Sequence, residues 1–264
     1  MNALTGTPAP QIDNAFPSKS QLCGIGYSRG TLKDFHVAIC RWLRASDRPK
    51  NTTIGYVNPH VFTLAMKNEA IRTHLDQANI VTVDGGGVSI AVWLLNHERV
   101  TRTVMTPLFD SVLSEPNLPK MRAVVVGGSE QVSRDGATAI QRACPQMEVT
   151  GCIDGYKPMQ THLDFLRAHE DVDVILVAMG SPRSEEFILQ GNALFPEKLF
   201  WHIGGGTLNY YAGALRRVPK IISLLWLQWL WRIVFEPKIF SRYAIGIPVF
   251  ARDVFLNRNK QIRK

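Results

Sequence analysis

The chain has 264 residues, 45% of them hydrophobic and 20% charged, a composition that argues against a disordered protein and suits one large globular domain or two small ones. Its four cysteines, Cys23, Cys40, Cys144 and Cys152, form no CxxC pair and are read with no histidine at metal-ligand spacing, which argues against a zinc module or a disulfide framework and for a reducing cytoplasm. The net charge of +8 is uneven: from Arg216 to Lys264 eleven Lys or Arg face two acids, Glu236 and Asp253, so the tail calls for an anionic partner such as nucleic acid, acidic lipid or substrate phosphate.

Residues 1–20 lack an apolar signal core, and their Pro, Ser, Thr and Asn content predicts a loose leader. From 21 to 215 short β-rich runs alternate with amphipathic helical runs. Strands are predicted at 52–57 and 79–83, with helix between them over 59–78, as one piece or two, and Pro59 suited to its first turn. A helix follows at 88–96. The next strand, at 122–128, leads into a helix over 131–144, then a short strand from 147 and a helix over 159–169. Residues 172–180 form the clearest buried strand, followed by a helix over 184–195, and 198–207 forms another strand running into glycines. This alternation predicts an α/β fold, a Rossmann-like, mostly parallel sheet with helices on both faces.

Four strands end in glycine turns: Asp84-Gly85-Gly86-Gly87, Gly127-Gly128, Gly180-Ser181-Pro182 and Gly204-Gly205-Gly206-Thr207. Ligands of open parallel sheets bind beyond the carboxyl ends of the strands. Glycine there lets the backbone approach a phosphate, and the next helix start offers free N–H groups. A nucleotide or nucleotide-sugar site follows. No turn reads GxGxxG or as a Walker loop, so a hydride-transfer enzyme lacks its fingerprint. Asp84 suits a catalytic carboxylate or a turn cap equally. Asn58 before Pro59 fits a helix cap. Glu185 and Glu186 fall in a helix's first turn, where they suit its dipole. His60, His74, His97, His162 and His169 are expected at the surface. "DVD" at 171–173 precedes a strand and fits a cap better than a metal motif, so no metal ligand and no cofactor is assigned.

In the tail, twelve of the fifteen residues from 221 to 235 are apolar, with Trp226, Trp229 and Trp231 among them and Arg232 inside the run. A spanning helix needs about 20 apolar residues. Flanking bases and tryptophans predict a helix lying in a membrane interface. A buried core or oligomer helix with a basic collar is the alternative, and a homo-oligomer stays open. The apolar richness disfavours nucleic acid. The predicted organisation is a leader (1–20), an α/β domain (21–215) and a basic, Trp-rich helical membrane-association appendage (216–264).

Three stretches resemble the WecG/TagA/CpsF glycosyltransferases: residues 57–91 around "NPH" and "DGGGV", residues 174–187 around "GSPRSEEF", and residues 203–243 from "IGGGTLNYYAG" to "EPKIFSRY". The resemblance implies transfer of a sugar from a UDP-sugar donor to a polyprenyl-diphosphate-linked sugar at the cytoplasmic face of the inner membrane, by a peripheral protein with an anionic membrane surface as partner. It implies Asp84 as catalytic base and Asn58 and Tyr56 at the acceptor. Arg232, Lys238 and Arg242 would hold the lipid diphosphate. The nucleotide sugar would meet Gly85, Gly127, Gly128, Gly180, Ser184, Glu185, Gly205, Gly206, Thr207 and Asn209. Tyr56, Ser184 and Asn209 depart from the family's Thr, Gln and Asp. Leader and tail resemble most the family's xanthan-pathway branch, which implies glucose as donor and glucosyl-diphosphoundecaprenol as acceptor, giving a β-1,4-linked cellobiosyl lipid in exopolysaccharide biosynthesis. Donors of the N-acetylmannosamine type, or a nucleotide-sugar oxidoreductase or epimerase on the same sheet, are the alternatives. Gly85 to Gly87 are expected to leave room for a sugar beside Asp84.

Overall fold

The computed structural model describes residues 16–219, 222, 231, 234 and 244–261. A hairpin opens this part of the chain: β1 (Lys19–Leu22) and β2 (Ile25–Ser28) pair antiparallel around a turn with Cys23 at φ 52° and Gly24 at φ 81°. Helix α1 (Leu32–Arg44) follows, opened by a capping box in which Thr31 and Asp34 satisfy each other's backbone N–H. Then come β3 (Thr53–Val57), α2 (Pro59–Ala65), α3 (Glu69–Gln77), β4 (Ile80–Val83), α4 (Gly86–Asn96), α5 (Met105–Leu113) and β5 (Met121–Gly127). The second half runs α6 (Glu130–Ala143), β6 (Met147–Ile153), α7 (Met159–Arg167), β7 (Val174–Ala178), α8 (Arg183–Leu194), β8 (Leu199–His202) and α9 (Gly204–Tyr211). Near the C-terminus lies α10 (Gly246–Asn257), with a short 3-10 turn after it.

Strands β3 to β8 form one parallel sheet in the order β4-β3-β8-β7-β5-β6. The expected mostly parallel sheet with helices is present. Apart from the partly exposed edge strand β6, its strands are buried on both sides because both faces are covered, and successive residues serve opposite faces. One set of side chains, including Ile54, Ile80, Val125, Leu176 and Trp201, packs with residues of α1, α5, α6 and α9. The other set divides. Val57, Val81 and Val83 meet α2, α3, α4 and α10, whereas Val124, Val126, Ile175, Val177 and Phe200 meet α7 and α8. Trp201 is fully buried, edge-on to Phe109 at 5.1 Å, with its indole N–H donated to Met105 Sδ at 3.2 Å. Truncating such a side chain to Ala costs about 3–5 kcal/mol.

Three differences from the sequence reading have physical causes. The hairpin's strands are only four residues each, and its turn puts a non-glycine residue, Cys23, at positive φ, so no Asn-Gly or Asp-Gly signal marks it. The predicted strand at 198–207 stops at His202, and its glycines open α9. Glycine is a poor helix former, so the run reads as loop, but N–H groups in a first turn need no intrahelical partner. His74 and His162, expected at the surface, are buried at 1% and 0% exposure, because each sits on the inward stripe of its helix.

The distal part of the stretch assigned to the appendage returns to the body. Phe250 of α10 is buried, edge-on to Phe62 of α2 at 5.1 Å, and Cys23 Sγ donates to the Val254 carbonyl at 3.7 Å. Where the chain leaves α9, Asp110 of α5 accepts from the Tyr211 hydroxyl at 2.6 Å and from both terminal nitrogens of Arg217. The tryptophan-rich run at 221–235 lies almost wholly outside the described residues, as do Arg232, Lys238 and Arg242. No described helix is long and apolar enough to cross a membrane.

Candidate active site

The carboxyl ends of the parallel strands form one edge, and most of the sequence-predicted residues gather there. Val57 and Val83 are register partners on neighbouring strands, so Asn58 and Asp84 emerge side by side. The Asp84 N–H donates to the Val57 carbonyl at 2.9 Å, extending the ladder by one bond. Thr103 donates to the Val83 carbonyl at 2.9 Å, which draws the segment after α4 alongside. Arg102 on that segment feels the Asp84 charge: burial lowers the guanidinium's pKa, and Asp84 opposes the shift. Asn58 is the cap foreseen from the sequence, its Oδ1 accepting from the Val61 N–H at 2.9 Å.

The turn after Asp84 is tight rather than roomy. A Cβ at Gly85, which has φ +116°, would stand 3.3 Å from Pro59 Cδ, and one at Gly87 would meet Pro59 Cγ at 3.0 Å. These glycines let the β4–α4 turn pass over the first turn of α2. The expectation that Gly85 and Gly87 leave room for a sugar is therefore corrected. Open space lies at Gly180 and Gly206, where an added Cβ meets nothing within 4 Å. Gly127 also answers to packing: its Cβ would stand 2.3 Å from the Ala178 backbone.

Of the helices that start at this edge, α2 and α6 have side-chain caps, Asn58 and Ser129. Helices α4, α8 and α9 have none among the described residues. First-turn N–H groups have no intrahelical acceptor and carry the positive end of the helix dipole, which suits an anion. Thr207 lies in α9, its hydroxyl 2.9 Å from that of Thr106 on α5, and Asn209 Nδ2 donates to the Gly205 carbonyl at 2.7 Å.

Two predicted residues turn inward. Ser184 Oγ accepts from the Met179 N–H at 3.2 Å and is fully buried. Glu185 is 1% exposed; its Oε1 accepts from the Ser181 hydroxyl at 2.6 Å and lies 3.7 Å from Nδ1 of the equally buried His202. Tyr56 completes this group. Its ring is 4.8 Å from that of His202, and its hydroxyl oxygen is 2.9 Å from where a Cβ on Gly204 would stand. His74 of α3 closes the buried side, 6.4 Å from His202 ring to ring. Burial pushes His74 down to about 4, against the pull of Glu185, and His202 down to about 3, so both are neutral near neutral pH.

Sequence reasoning missed His202, His74 and Arg102. A signal for His202 was present, since it ends a strand just before a glycine turn, as Asp84 does. His74 and Arg102 reach the site through helix packing and a loop bond that no spacing announces. Asp173 of the "DVD" run lies at the opposite, amino-terminal edge, where its Oδ2 accepts from the Arg122 N–H at 2.9 Å.

Residues 20–264 match the glycosyl transferase WecG/TagA/CpsF family. The chain belongs to that family. It is 28% identical over 209 residues, 79% of this chain and 80% of the relative, to the N-acetylglucosaminyldiphosphoundecaprenol N-acetyl-beta-D-mannosaminyltransferase of Bacillus subtilis strain 168. A protein of the same name from Staphylococcus aureus strain MRSA252 is 25% identical over 244 residues, 92% of this chain and 94% of the relative. The family match includes residues 216–264. The expected family membership holds, and with it a sugar-transferring enzyme.

Proposed function

We propose that the chain is an inverting glycosyltransferase that moves a sugar from a UDP-sugar to a polyprenyl-diphosphate-linked sugar, with Asp84 as general base. The observation that carries this reading is the carboxyl edge itself: Asp84 and Asn58 end neighbouring parallel strands, and the same edge holds the open positions at Gly180 and Gly206 and three uncapped helix starts. Asp84 takes the proton from an acceptor-sugar hydroxyl. The oxygen attacks the donor's anomeric carbon from the face opposite UDP, the bond to UDP breaks, and an α-linked donor becomes a β-glycoside. N–H groups of the uncapped helices meet the charge that builds on the departing diphosphate.

Tyr56 bears on the donor. Its ring fills the corner between Gly204 and His202, where the family's threonine would leave space, and this supports a plain hexose, glucose, over a 2-acetamido sugar. On this reading the acceptor is glucosyl-diphosphoundecaprenol and the product a cellobiosyl lipid of the xanthan type. The names of the relatives favour a second reading, an N-acetylmannosaminyl donor with an N-acetylglucosaminyl-diphosphoundecaprenol acceptor.

The tail's tryptophans and bases support an interfacial helix that holds the protein peripherally on anionic lipid at the cytoplasmic face, with Arg232, Lys238 and Arg242 on the acceptor diphosphate. The approach of Phe250 to Gly87 brings the end of the appendage beside the Asp84 turn.

The test is a panel of UDP-sugars against short-chain polyprenyl-diphosphate glucose and N-acetylglucosamine, with linkage analysis, run on wild type and Asp84→Asn. Loss of a general base slows turnover about 10²- to 10⁴-fold. Near-normal turnover by folded Asp84→Asn protein sinks the base assignment, and transfer only from an N-acetylmannosaminyl donor sinks the hexose reading. For the tail, Arg232→Ala with Lys238→Ala and Arg242→Ala should weaken flotation with phosphatidylglycerol vesicles, and unchanged flotation rejects it.

A further inference from the structure

Away from the carboxyl edge, α1 and the segment after α5 border a cleft of about 510 Å³, lined in part by His36, Cys40, Arg44 and Glu115. His36 and Cys40 are four residues apart on α1 and so share a helix face. Glu115 follows α5 and reaches the same spot. One potential ligand atom from each residue lies within 4.8 Å of the other two.

The hydrogen bonds around Ser111 place a proton on one nitrogen of His36. The Ser111 hydroxyl donates to the Leu108 carbonyl at 2.7 Å, so toward His36 Nδ1, 3.1 Å away, Ser111 Oγ is the acceptor. Nδ1 then carries a proton, and Nε2 presents a lone pair in the neutral ring or an N–H to Glu115 in the imidazolium. Nε2 lies 3.2 Å from Glu115 Oε2 and 3.6 Å from Cys40 Sγ. A neutral ring sets that lone pair against the carboxylate, and either a proton on Nε2 or a metal cation between the two groups relieves the repulsion. Glu115's other oxygen is taken by Arg44, which leaves Oε2 for the position beside His36.

Two of the three ligand separations suit a metal directly, and the third, Cys40 to Glu115, lies within 4.8 Å. Zinc bonds of about 2.0–2.2 Å to nitrogen and oxygen and about 2.3 Å to sulfur, at tetrahedral angles, separate nitrogen from oxygen by about 3.4 Å and nitrogen from sulfur by about 3.6 Å. The observed 3.2 and 3.6 Å lie close to both edges. Ser111 supplies the outer hydrogen bond that metal-binding histidines usually have, which orients the ring.

We propose that His36, Cys40 and Glu115 form a site for a thiophilic divalent cation of the zinc class, with three protein ligands and a fourth position open to the cleft for water. Binding forms the metal–sulfur bond as the Cys40 thiol loses its proton to the buffer. The metal ties α1 to the end of α5 across one face of the sheet. The spacing reading passed over this pair because the third ligand lies 79 residues from His36, and only the packing of α1 on α5 brings it in.

The test uses the full, tag-free chain, stripped with a chelator and titrated with zinc chloride by calorimetry and with cobalt(II) chloride by absorption. One saturable equivalent, released protons and a thiolate-to-cobalt charge-transfer band are expected. Cys40→Ser removes the band, Glu115→Gln weakens binding while keeping the band, and Ser111→Ala weakens it about 10- to 100-fold. Circular dichroism checks each variant's fold, and the partly exposed Glu115 keeps the test available if Cys40→Ser misfolds. Absence of a saturable equivalent in wild type, a cobalt spectrum without the thiolate band, or wild-type affinity in folded Glu115→Gln overturns the proposal.

Discussion

His202 Nδ1 lies 3.7 Å from Glu185 Oε1, with both side chains 1% exposed, beneath the edge where a ligand would sit. Among the described residues, Glu185 Oε2 and His202 Nε2 have no hydrogen-bond partner, while Glu185 Oε1 has the Ser181 hydroxyl. Buried polar atoms are costly when unsatisfied. Ser181→Ala takes away that donor and is expected to lower stability by about 1–3 kcal/mol. Urea denaturation reads it, and a midpoint equal to wild type would mean that the carboxylate finds another donor.

The buried histidines set a pH dependence. His74 and His202 have folded pKa values of about 4 and about 3, below the ordinary 6.5. Below 6.5 the unfolded chain binds their protons and the folded chain does not. Stability therefore falls as pH drops from about 6.5 toward 4, and these two groups add no slope well above that range. Glu185 faces His74 and raises its pKa, whereas His202 and Lys19 lower it, all against the larger effect of burial. Denaturation midpoints from pH 4 to 7 check the slope. His74→Gln should flatten it, and an unchanged slope in that variant would assign the dependence elsewhere.

Much of the carboxyl edge was legible in the sequence, because strand ends and glycine turns are local signals. Asp84, Asn58, Gly180 and Gly206 all reach the places that their strands dictate. Gly127 has a packing reason of its own that the sequence could not show: a glycine demanded by close backbone contact and one demanded by a ligand look alike in a sequence. Ser184 and Glu185 stand in a first helical turn, but which way they face is set by how α8 packs on the sheet. The meeting of Tyr56 with His202 depends on strand order, since β8 inserts beside β3 only in three dimensions.

The two kinds of glycine can be separated by substitution. Gly127 has φ +148° and its added Cβ would collide with the Ala178 backbone, so Gly127→Ala is expected to destabilise by more than about 1 kcal/mol. Gly206 sits in open space on a helix, where alanine gains up to about 1 kcal/mol of helix propensity. Gly206→Ala should melt no lower than wild type and yet transfer sugar more slowly, because its methyl group enters the proposed diphosphate path. Melting curves and initial rates on the same preparations check the contrast. Equal rates for Gly206→Ala and wild type would place the diphosphate elsewhere along the edge.

Helix α10 has twelve residues, and isolated helices shorter than about 12–15 residues are marginal in water, so its order depends on docking. Its main anchor is Phe250, 6% exposed, edge-on to Phe62 and 3.5 Å from where a Cβ on Gly87 would stand. Removing a buried phenylalanine costs about 3–5 kcal/mol when the structure around it cannot collapse. In Phe250→Ala that loss falls on α10, which can open without unfolding the parallel sheet. Amide exchange over residues 246–257 should then quicken more than about tenfold, the factor equivalent to 1.4 kcal/mol, while strands β5 and β7 keep their protection. Uniform loss of protection across the sheet would show instead that α10 and the α/β body unfold as one unit.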